Sequence, residues 1–464
     1  MYFIIYALFK QIRNFTKMNP IRKITIPFFA CCMSFLISSA HSSETAKTSF
    51  EAVTEKLDRN GHLFAYFNTA KTMQQLDQIM DSLLELAQSN DSANPLANNP
   101  FIGPMVSGIT DAIKPAYEES GISQIGGVGM SSLAVKKDQW RQKTFIYRDS
   151  QKGDGLIWEM FGSEPHSLEI LELAPAQTGL LAHSDLRISA LMDWVDRISE
   201  KATGGQSVTA SAPAEFKDIL KAFDDEVGFI MTLDPNKQLK IPGFMIQAEE
   251  DLEMDSFAFA LIARTKGDKI LSMINEAMES GFAPPQRTKI KGVNLNSIPL
   301  PLPIPIEGLD ISPCYFQVDD YMVLASSTSL GKSMIEAKNG KGQITENDDF
   351  KSLTEGLDLK SNGIIYTSPN FTNWSIKLNE LGMGQMPEEL KDSFDIYLNY
   401  NKQIKGMVSL IKSDKDGIML ETRSSVNLTG EYLTHTAASI AIILGSSVQQ
   451  FNESGMFDDL GGFE

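Results

Sequence analysis

The apolar positions of this chain fall into short runs separated by helical stretches, from about residue 60 to residue 425. A turn at 58–61 precedes the apolar run 62–67, and apolar residues then recur every three or four positions over 69–87. That spacing predicts an amphipathic helix, whereas short runs bounded by turn residues predict strands. From residue 126 the runs shorten, and we expect an antiparallel meander over 128–135, 143–148, 155–161, 168–173 and 179–182.

One order of elements occurs twice. A strand, a helix, a Phe-Lys helix start and a second strand follow one another with offsets of 143, 134 and 135 residues between the copies. We therefore predict an α+β fold of tandem duplicated units, each an antiparallel sheet with helices packed on one face. The copies occupy 180–184, 216–217 and 228–232, and then 323–327, 350–351 and 363–367.

The repeat sets the expected domain boundaries, and the run 62–67 is interpreted as a further copy of the opening strand. A chain of this length is expected to form two or three domains. We predict a signal segment at 1–40, a first unit at 41–227, a second unit at 228–362, a partial third unit at 363–429, and a C-terminal helix with an acidic tail at 430–464.

The first 40 residues have the composition of a signal peptide. They contain five Lys or Arg residues and no acid, then an apolar run over 24–37 and the small residues Ser38 and Ala40. This order predicts export, with cleavage after Ala40 and translation starting at Met1 or at Met18. Two alternatives stay open: a retained membrane anchor, although the run is shorter than the ~20 residues of a spanning helix, and acylation at Cys31.

Charge and cysteine content limit the classes of partner. Loss of the five positive charges changes the formal net charge from −18 to −23, and acids then outnumber basic residues by 59 to 36. Nucleic-acid binding requires a clustered positive field, so we predict no nucleic-acid partner. Cys314 is the one cysteine outside the signal segment, which excludes an intramolecular disulfide. We expect a periplasmic or secreted protein with no mature transmembrane segment.

The segment 298–306 has proline at every second position. Proline cannot donate to a strand ladder, so the segment is expected to be an edge strand or an extended crossover. It is interpreted either as an apolar strap over the core or as the rim of a ligand groove or docking edge.

Motifs for catalysis or cofactor binding are incomplete. The sequence 329–333 lacks the first glycine of a phosphate loop, and glycines at 126–129 precede a strand rather than a helix, which predicts a bulge or close packing. The mature histidines have no zinc-ligand spacing, so we predict no metal and no cofactor. A Ser-His-Asp site would have to be assembled from His166 or His183 by folding, without a serine elbow to identify the nucleophile.

The sequences 315–327, 349–353 and 362–366 give a strand, an acidic turn, a strand ending in small residues, a helix start and another strand. In this order the chain resembles a group of uncharacterised bacterial exported proteins built from duplicated α+β units, a domain of unknown function. The resemblance covers most of residues 60–425. It implies the architecture and export, and it transfers no activity and no site residue.

The expected function is therefore that of a non-catalytic binding or scaffolding protein of the bacterial envelope. Its partner would be an envelope protein or an apolar small molecule. Two alternatives are a hydrolase with a site assembled from loops between units, and a carrier of an apolar ligand. Candidate ligand-binding residues are those where the copies diverge: His183, where the second copy has Ser326, and Tyr366, where the first has Met231.

Overall fold

The computed structural model describes residues 44–88, 112, 114–203, 205, 207–246, 250–281, 284–299, 307–383, 398–399 and 401–427. The predicted signal segment 1–40, the linker 90–104, most of the proline-rich segment and the C-terminal region 430–464 lie outside these residues. None of the helices in the described part of the chain combines the length and the apolarity needed to span a bilayer.

Thirteen strands form one antiparallel sheet, which confirms the α+β class. The order across the sheet is β1-β2-β3-β13-β12-β11-β4-β5-β6-β10-β9-β8-β7. The strands are β1 (Leu63–Phe67), β2 (Ile125–Lys136), β3 (Gln139–Arg148), β4 (Thr178–Asp185), β5 (Phe223–Ile241), β6 (Leu252–Thr265), β7 (Gln286–Ile290), β8 (Val293–Ser297), β9 (Cys314–Val318), β10 (Tyr321–Ala325), β11 (Gly363–Thr367), β12 (Met407–Asp414) and β13 (Gly417–Ser424).

The helices connect these strands at both ends of the sheet. They are α1 (Glu44–Thr54), α2 (Ala70–Gln88), α3 (Leu156–Glu159), α4 (Ile170–Leu173), α5 (Ile188–Thr203), α6 (Val208–Ser211), α7 (Ala214–Ala222), α8 (Gly243–Ile246), α9 (Lys269–Gly281), α10 (Thr328–Lys338), α11 (Asp348–Thr354) and α12 (Pro369–Met383). The helix predicted over 69–87 is confirmed as α2.

The topology does not confirm the tandem duplication in the register that the sequence suggests. Strands β4 and β5 are antiparallel neighbours, whereas β10 and β11 are separated by β6, β5 and β4. Three other segments do share one connectivity. In each of them a strand is followed by a helical connection and then by two strands that form a hairpin. They are β1-β2-β3, β4-β5-β6 and β11-β12-β13, and in each the first strand pairs with the second and the second with the third.

The main core lies on one side of the sheet, which we call the core face. Residues paired across neighbouring strands point to the same side, and Leu181, Ile230 and Val323 all point to the core face. Helices α10 and α11 cover them with apolar side chains that include Met334 and Phe350. Because these side chains are fully buried, this packing supplies most of the apolar burial of the central strands.

The opposite side, which we call the open face, also carries helices, so packing on one face alone is not confirmed. Met322 and Tyr315 point to the open face and are buried against α7 and α9. At the other end of the strands, Trp374 of α12 contacts Phe257 with ring centroids 5.4 Å apart. Helices of the strand connections therefore pack on both sides of the sheet.

Two expected strands are wrong. The segments 155–161 and 168–173 contain the short helices α3 and α4 instead. Trp158 and Ile170 are buried there. A short apolar run has the same composition in a buried strand and in a buried helix, so periodicity could not separate the two.

The predicted acidic turn and the predicted bulge at residues 126–129 are confirmed, and the structure adds the cap of α10 and the surroundings of Cys314. Asp319 forms the turn of the β9–β10 hairpin with φ of 49°, and the register of β2 shifts at Gly126, as in a β-bulge. The Ser327 hydroxyl accepts a hydrogen bond from the Leu330 amide, so the sequence 329–333 lies in a capped helix start. Cys314 is buried in the core, and burial raises the pKa of its thiol to about 12.

The two edges of the sheet differ in charge. Strand β7 is exposed and carries Arg287 and Lys289, whereas β1 has the uncharged sequence Leu-Phe-Ala-Tyr-Phe. Charged side chains on an edge strand oppose pairing with another chain. The β7 edge is therefore protected in a way that the β1 edge is not.

Candidate functional site

His183 lies in a buried polar cluster on the core face, where β4, β5, β6 and β10 end together. Its Nε2 atom is 3.2 Å from Oε2 of Glu226. Glu226 also accepts hydrogen bonds from Tyr321 Oη, at 2.7 Å, and from the Arg264 guanidinium. The imidazole, a phenol and a guanidinium thus converge on one carboxylate.

This carboxylate is held in its charged form. Burial alone would raise the pKa of Glu226, but the hydrogen bonds from His183, Tyr321 and Arg264 outweigh burial and lower the pKa to about 2. Burial and the neighbouring carboxylate raise the pKa of Tyr321, which keeps the phenol protonated as a donor. The cluster is a closed set of charge-assisted hydrogen bonds that joins four strands.

A second polar pair lies next to this cluster. His166 Nε2 is 2.9 Å from Oδ1 of Asp185, and Asn362 Nδ2 donates to the other carboxylate oxygen at 2.9 Å. The His166 Nδ1 atom faces the Ser167 carbonyl at 3.0 Å. Burial opposes the imidazolium, but the contacts with Asp185 and Ser167 outweigh it and raise the pKa of His166.

The geometry of these histidines does not match that of a general base. Both ring nitrogens of His166 face oxygen acceptors, and the imidazolium form satisfies both by donating twice. A base that activates a serine needs one ring nitrogen directed at the hydroxyl. His183 is buried, its Nε2 faces Glu226, and its Nδ1 has no hydrogen-bond partner in the described structure. Among the described residues, neither ring therefore has a nitrogen directed at a serine hydroxyl.

Tyr366 lies on β11, next to β4, but it does not belong to the polar cluster. Its ring is fully buried in the core and packs edge-on against Phe350, with centroids 5.2 Å apart. Its hydroxyl has no hydrogen-bond partner among the described residues, and burial raises its pKa. The two candidate residues thus point to the same face of neighbouring strands, one within a polar network and one within the apolar core.

Other features of the described chain do not form a site. Among the residues with assigned positions, no three His, Cys, Asp or Glu side chains are grouped as metal ligands. A surface depression of about 710 Å³ lies against α9, where Met273, Glu276 and Ser280 form part of its wall. All of its described lining comes from one face of this helix.

The open face carries an apolar surface, which we call the open patch: the exposed Phe259, Leu261, Leu324 and Ile365 with the half-buried Phe229. Leu261 is 53% exposed, and Leu324 and Phe259 are 42% and 40% exposed. The cross-strand pairs Phe229–Leu261 and Leu261–Leu324 place Phe229, Leu261 and Leu324 in one row. Phe259 lies two residues from Leu261 on β6, and its ring stacks on that of Phe229 with centroids 6.2 Å apart. Contiguous exposed apolar side chains of this kind mark interaction surfaces.

The dimensions of the open patch are those of a missing helix. On β6, α12 covers Phe257, and the α7–α9 cluster covers Met322, which pairs with Ala263. Phe257 and Ala263 are six positions apart on β6, a distance of about 20 Å along the strand. Helices are about 10 Å across, so the space between the two covered rows accommodates about one further helix. From β11 to β10 the patch crosses four strand spacings, about 19 Å.

This surface lies outside the candidate residues His183 and Tyr366, although the sequence contains a signal for it. In the run 256–264, Phe257, Phe259 and Leu261 alternate with Ala258, Ala260 and Ile262. A strand that is apolar on both sides requires cover on both sides.

No family model, curated protein or solved structure matches this chain.

Proposed function

We propose that this protein is an exported, non-catalytic binding protein of the bacterial envelope and that the open patch is its binding surface. The observation that carries the proposal is the exposed apolar row between α12 and the α7–α9 cluster, with Leu261 at its centre. The partner is an amphipathic helix of an envelope protein, because the unfilled width is that of one helix.

The absence of catalysis is part of this proposal. It is supported by His166, whose ring nitrogens are both engaged, and by His183, whose ring is buried. Turnover of ester, peptide or glycoside substrates by the purified mature protein would instead support the hydrolase alternative.

Export rests on the sequence of residues 1–40, and the cleavage site after Ala40 has a direct test. Mass spectrometry of the protein purified from the periplasm should give a mature mass that begins at His41. A mass that includes residues 18–40 would support a retained anchor, and a lipid adduct at Cys31 would support acylation.

We also propose that the chain is built from a repeated strand–helix–hairpin unit. The support is the common connectivity of β1-β2-β3, β4-β5-β6 and β11-β12-β13. With these boundaries, the unit predicted over 41–227 contains one complete copy, β1-β2-β3, together with β4, the first strand of a second copy. The repeat thus provides a broad sheet whose strand connections carry the helices.

Site-directed photo-crosslinking in the full chain tests the binding surface. A photoreactive residue at position 259, 261 or 324 should crosslink to one partner segment, at positions three or four residues apart, as a helix requires. The same residue at position 135 is the matched control, because Val135 is apolar, 43% exposed and outside the open patch. L261E should abolish the crosslinks from position 324 without lowering the unfolding midpoint.

The identity of the crosslinked product separates the alternatives. A partner helix captured from all three patch positions and not from position 135 supports the proposal. A lipid adduct overturns it in favour of the apolar carrier, and a crosslink to residues 431–451 of the same chain shows that the patch is covered internally. Equal capture from positions 135 and 261 also overturns it.

A further inference from the structure

Arg423 is a buried arginine without a counter-ion. It lies on β13, points to the core face, and is 4% exposed. Its Nε atom is buried without a hydrogen-bond partner, and no carboxylate in the described part of the chain forms an ion pair with it. Buried arginines are normally paired, because removal of a charge from water is costly unless another group compensates it.

The neighbours of Arg423 increase this excess of positive charge. Arg141 of β3 is its direct cross-strand partner, and like charges in that position repel. Lys143 lies two residues further along β3 on the same face, and Lys412 lies on β12. Four basic side chains from three adjacent strands therefore share one part of the core face.

The carboxylates nearby are already engaged. Asp58 accepts two hydrogen bonds from Arg141, at 2.6 and 2.8 Å, and one from Lys143 at 3.0 Å. Glu421 is 3.2 Å from the ammonium group of Lys412. The cluster thus holds four positive and two negative charges, in a protein whose overall charge is strongly negative.

The cluster is reachable from solvent. The side chains of Arg141, Lys143 and Lys412 are 28%, 21% and 21% exposed. At its border, Lys136 pairs with the exposed Glu355, which follows α11. Gln139, two residues before Arg141, donates to the Ser352 carbonyl at 3.1 Å and attaches α11 to this part of the sheet. The basic side chains therefore lie beside α11, with Arg141, Lys143 and Lys412 partly exposed to solvent around the buried Arg423.

We propose that this basic cluster is a binding site for a divalent oxyanion, a phosphate or sulfate group, with Arg423 as its anchor. A doubly charged oxyanion would balance the two excess positive charges. The guanidinium presents a planar fork of donors that matches phosphate and sulfate oxygens, and Lys143, two residues along β3 from the cross-strand partner of Arg423, adds a point charge. Burial and the adjacent Arg141 lower the pKa of Arg423, and the attraction of Glu421, Asp58 and Glu355 offsets only part of this effect.

The test is thermal unfolding of the full mature chain with inorganic phosphate, at an ionic strength matched with sodium chloride. Phosphate should raise Tm saturably, by about 3 °C at a hundredfold excess over the dissociation constant. Glycerol phosphate in a parallel titration distinguishes a phosphate ester from the free ion. A stronger response to the ester assigns the site to a phosphorylated molecule, and a response to the inorganic ion alone assigns it to free phosphate.

Three variants separate a binding role from a structural one. R423M should lose the phosphate response and, without phosphate, should be at least as stable as the wild-type protein, because it removes an uncompensated buried charge. R423K should respond with a half-saturating concentration raised about tenfold, because a single ammonium replaces the bidentate fork. R287M removes an exposed arginine that pairs with Glu279 on the sheet edge and should respond like the wild-type protein.

A wild-type protein that shows no saturable response overturns the proposal, and so does an undiminished response in R423M. If R423M does not fold, the R423K variant tests the proposal instead. A half-saturating phosphate concentration that is the same in R423K as in the wild-type protein overturns the assignment of Arg423 as the anchor. None of these outcomes depends on the open patch, which lies on the opposite face of the sheet.

Discussion

Replacement of Glu226 by glutamine should show how much the buried polar cluster stabilises the fold. The substitution keeps the shape of the side chain and removes the charge that receives His183, Tyr321 and Arg264. The pKa of Glu226 falls from 4.5 to about 2 in the folded protein. A difference of about 2.5 pKa units corresponds to about 3 kcal/mol, and the side chain is only 8% exposed, so little of this is lost to solvent screening.

The pH dependence follows from the direction of this shift. A carboxyl group whose pKa is depressed by folding contributes its full stabilisation above the unfolded value of 4.5 and loses it as the pH falls toward 2. We therefore expect E226Q to lower the free energy of unfolding by about 3 kcal/mol at pH 7. The difference between E226Q and the wild-type protein should shrink steadily between pH 4.5 and pH 2.

Urea unfolding at a series of pH values measures both quantities. E279Q is the matched control, because Glu279 pairs with Arg287 at an exposed edge, where such pairs contribute less than about 1 kcal/mol. A loss below about 1 kcal/mol for E226Q at pH 7 would refute the reasoning. A difference that stays constant from pH 7 to pH 2 would show that the charge of Glu226 is not the stabilising feature.

Three further substitutions test separate parts of the structure. Y366F should leave the urea midpoint unchanged or raise it slightly, because the buried hydroxyl has no partner in the described structure; a loss above about 1 kcal/mol would mean that it does bind a polar group. The wild-type protein should lose stability as the pH rises through the pKa of His166, which lies above its usual 6.5, and H166N should abolish this loss. NMR titration of the ring should give that pKa directly. G129A should lower the free energy of unfolding by about 1–3 kcal/mol, since a Cβ there would overlap Val53, and V53A in the same chain should restore part of the loss.

Sequence patterns predicted the elements in which a long run or a turn determines the structure. The helix α2 and the hairpin β9–β10 follow from periodicity and from the acidic turn Asp319-Asp320. The helices at 156–159 and 170–173 could not be predicted, because a segment of four residues is too short to show a periodicity of its own. Their helical form depends on what they pack against in three dimensions.

The candidate residues show the same limit. His183 was selected because it interrupts a repeat, and it does lie in a polar cluster. Its partners Glu226, Tyr321 and Arg264 are 43 to 138 residues away in the chain, so local patterns could not bring them together. The open patch and the unpaired Arg423 depend on which strands are neighbours, and the strand order 3-13-12-11-4-5-6-10 departs from chain order at β3–β13, at β11–β4 and at β6–β10.

The unequal edges of the sheet limit how copies of this protein could polymerise. A strand of another molecule that paired with β7 would contact charged side chains, whereas one that paired with β1 would contact only uncharged side chains of that strand. Two molecules that pair through β1 would each have used the one uncharged edge of the sheet in the described part of the chain. Such growth therefore terminates at a closed pair, whereas a sheet with two permissive edges could extend into a fibre.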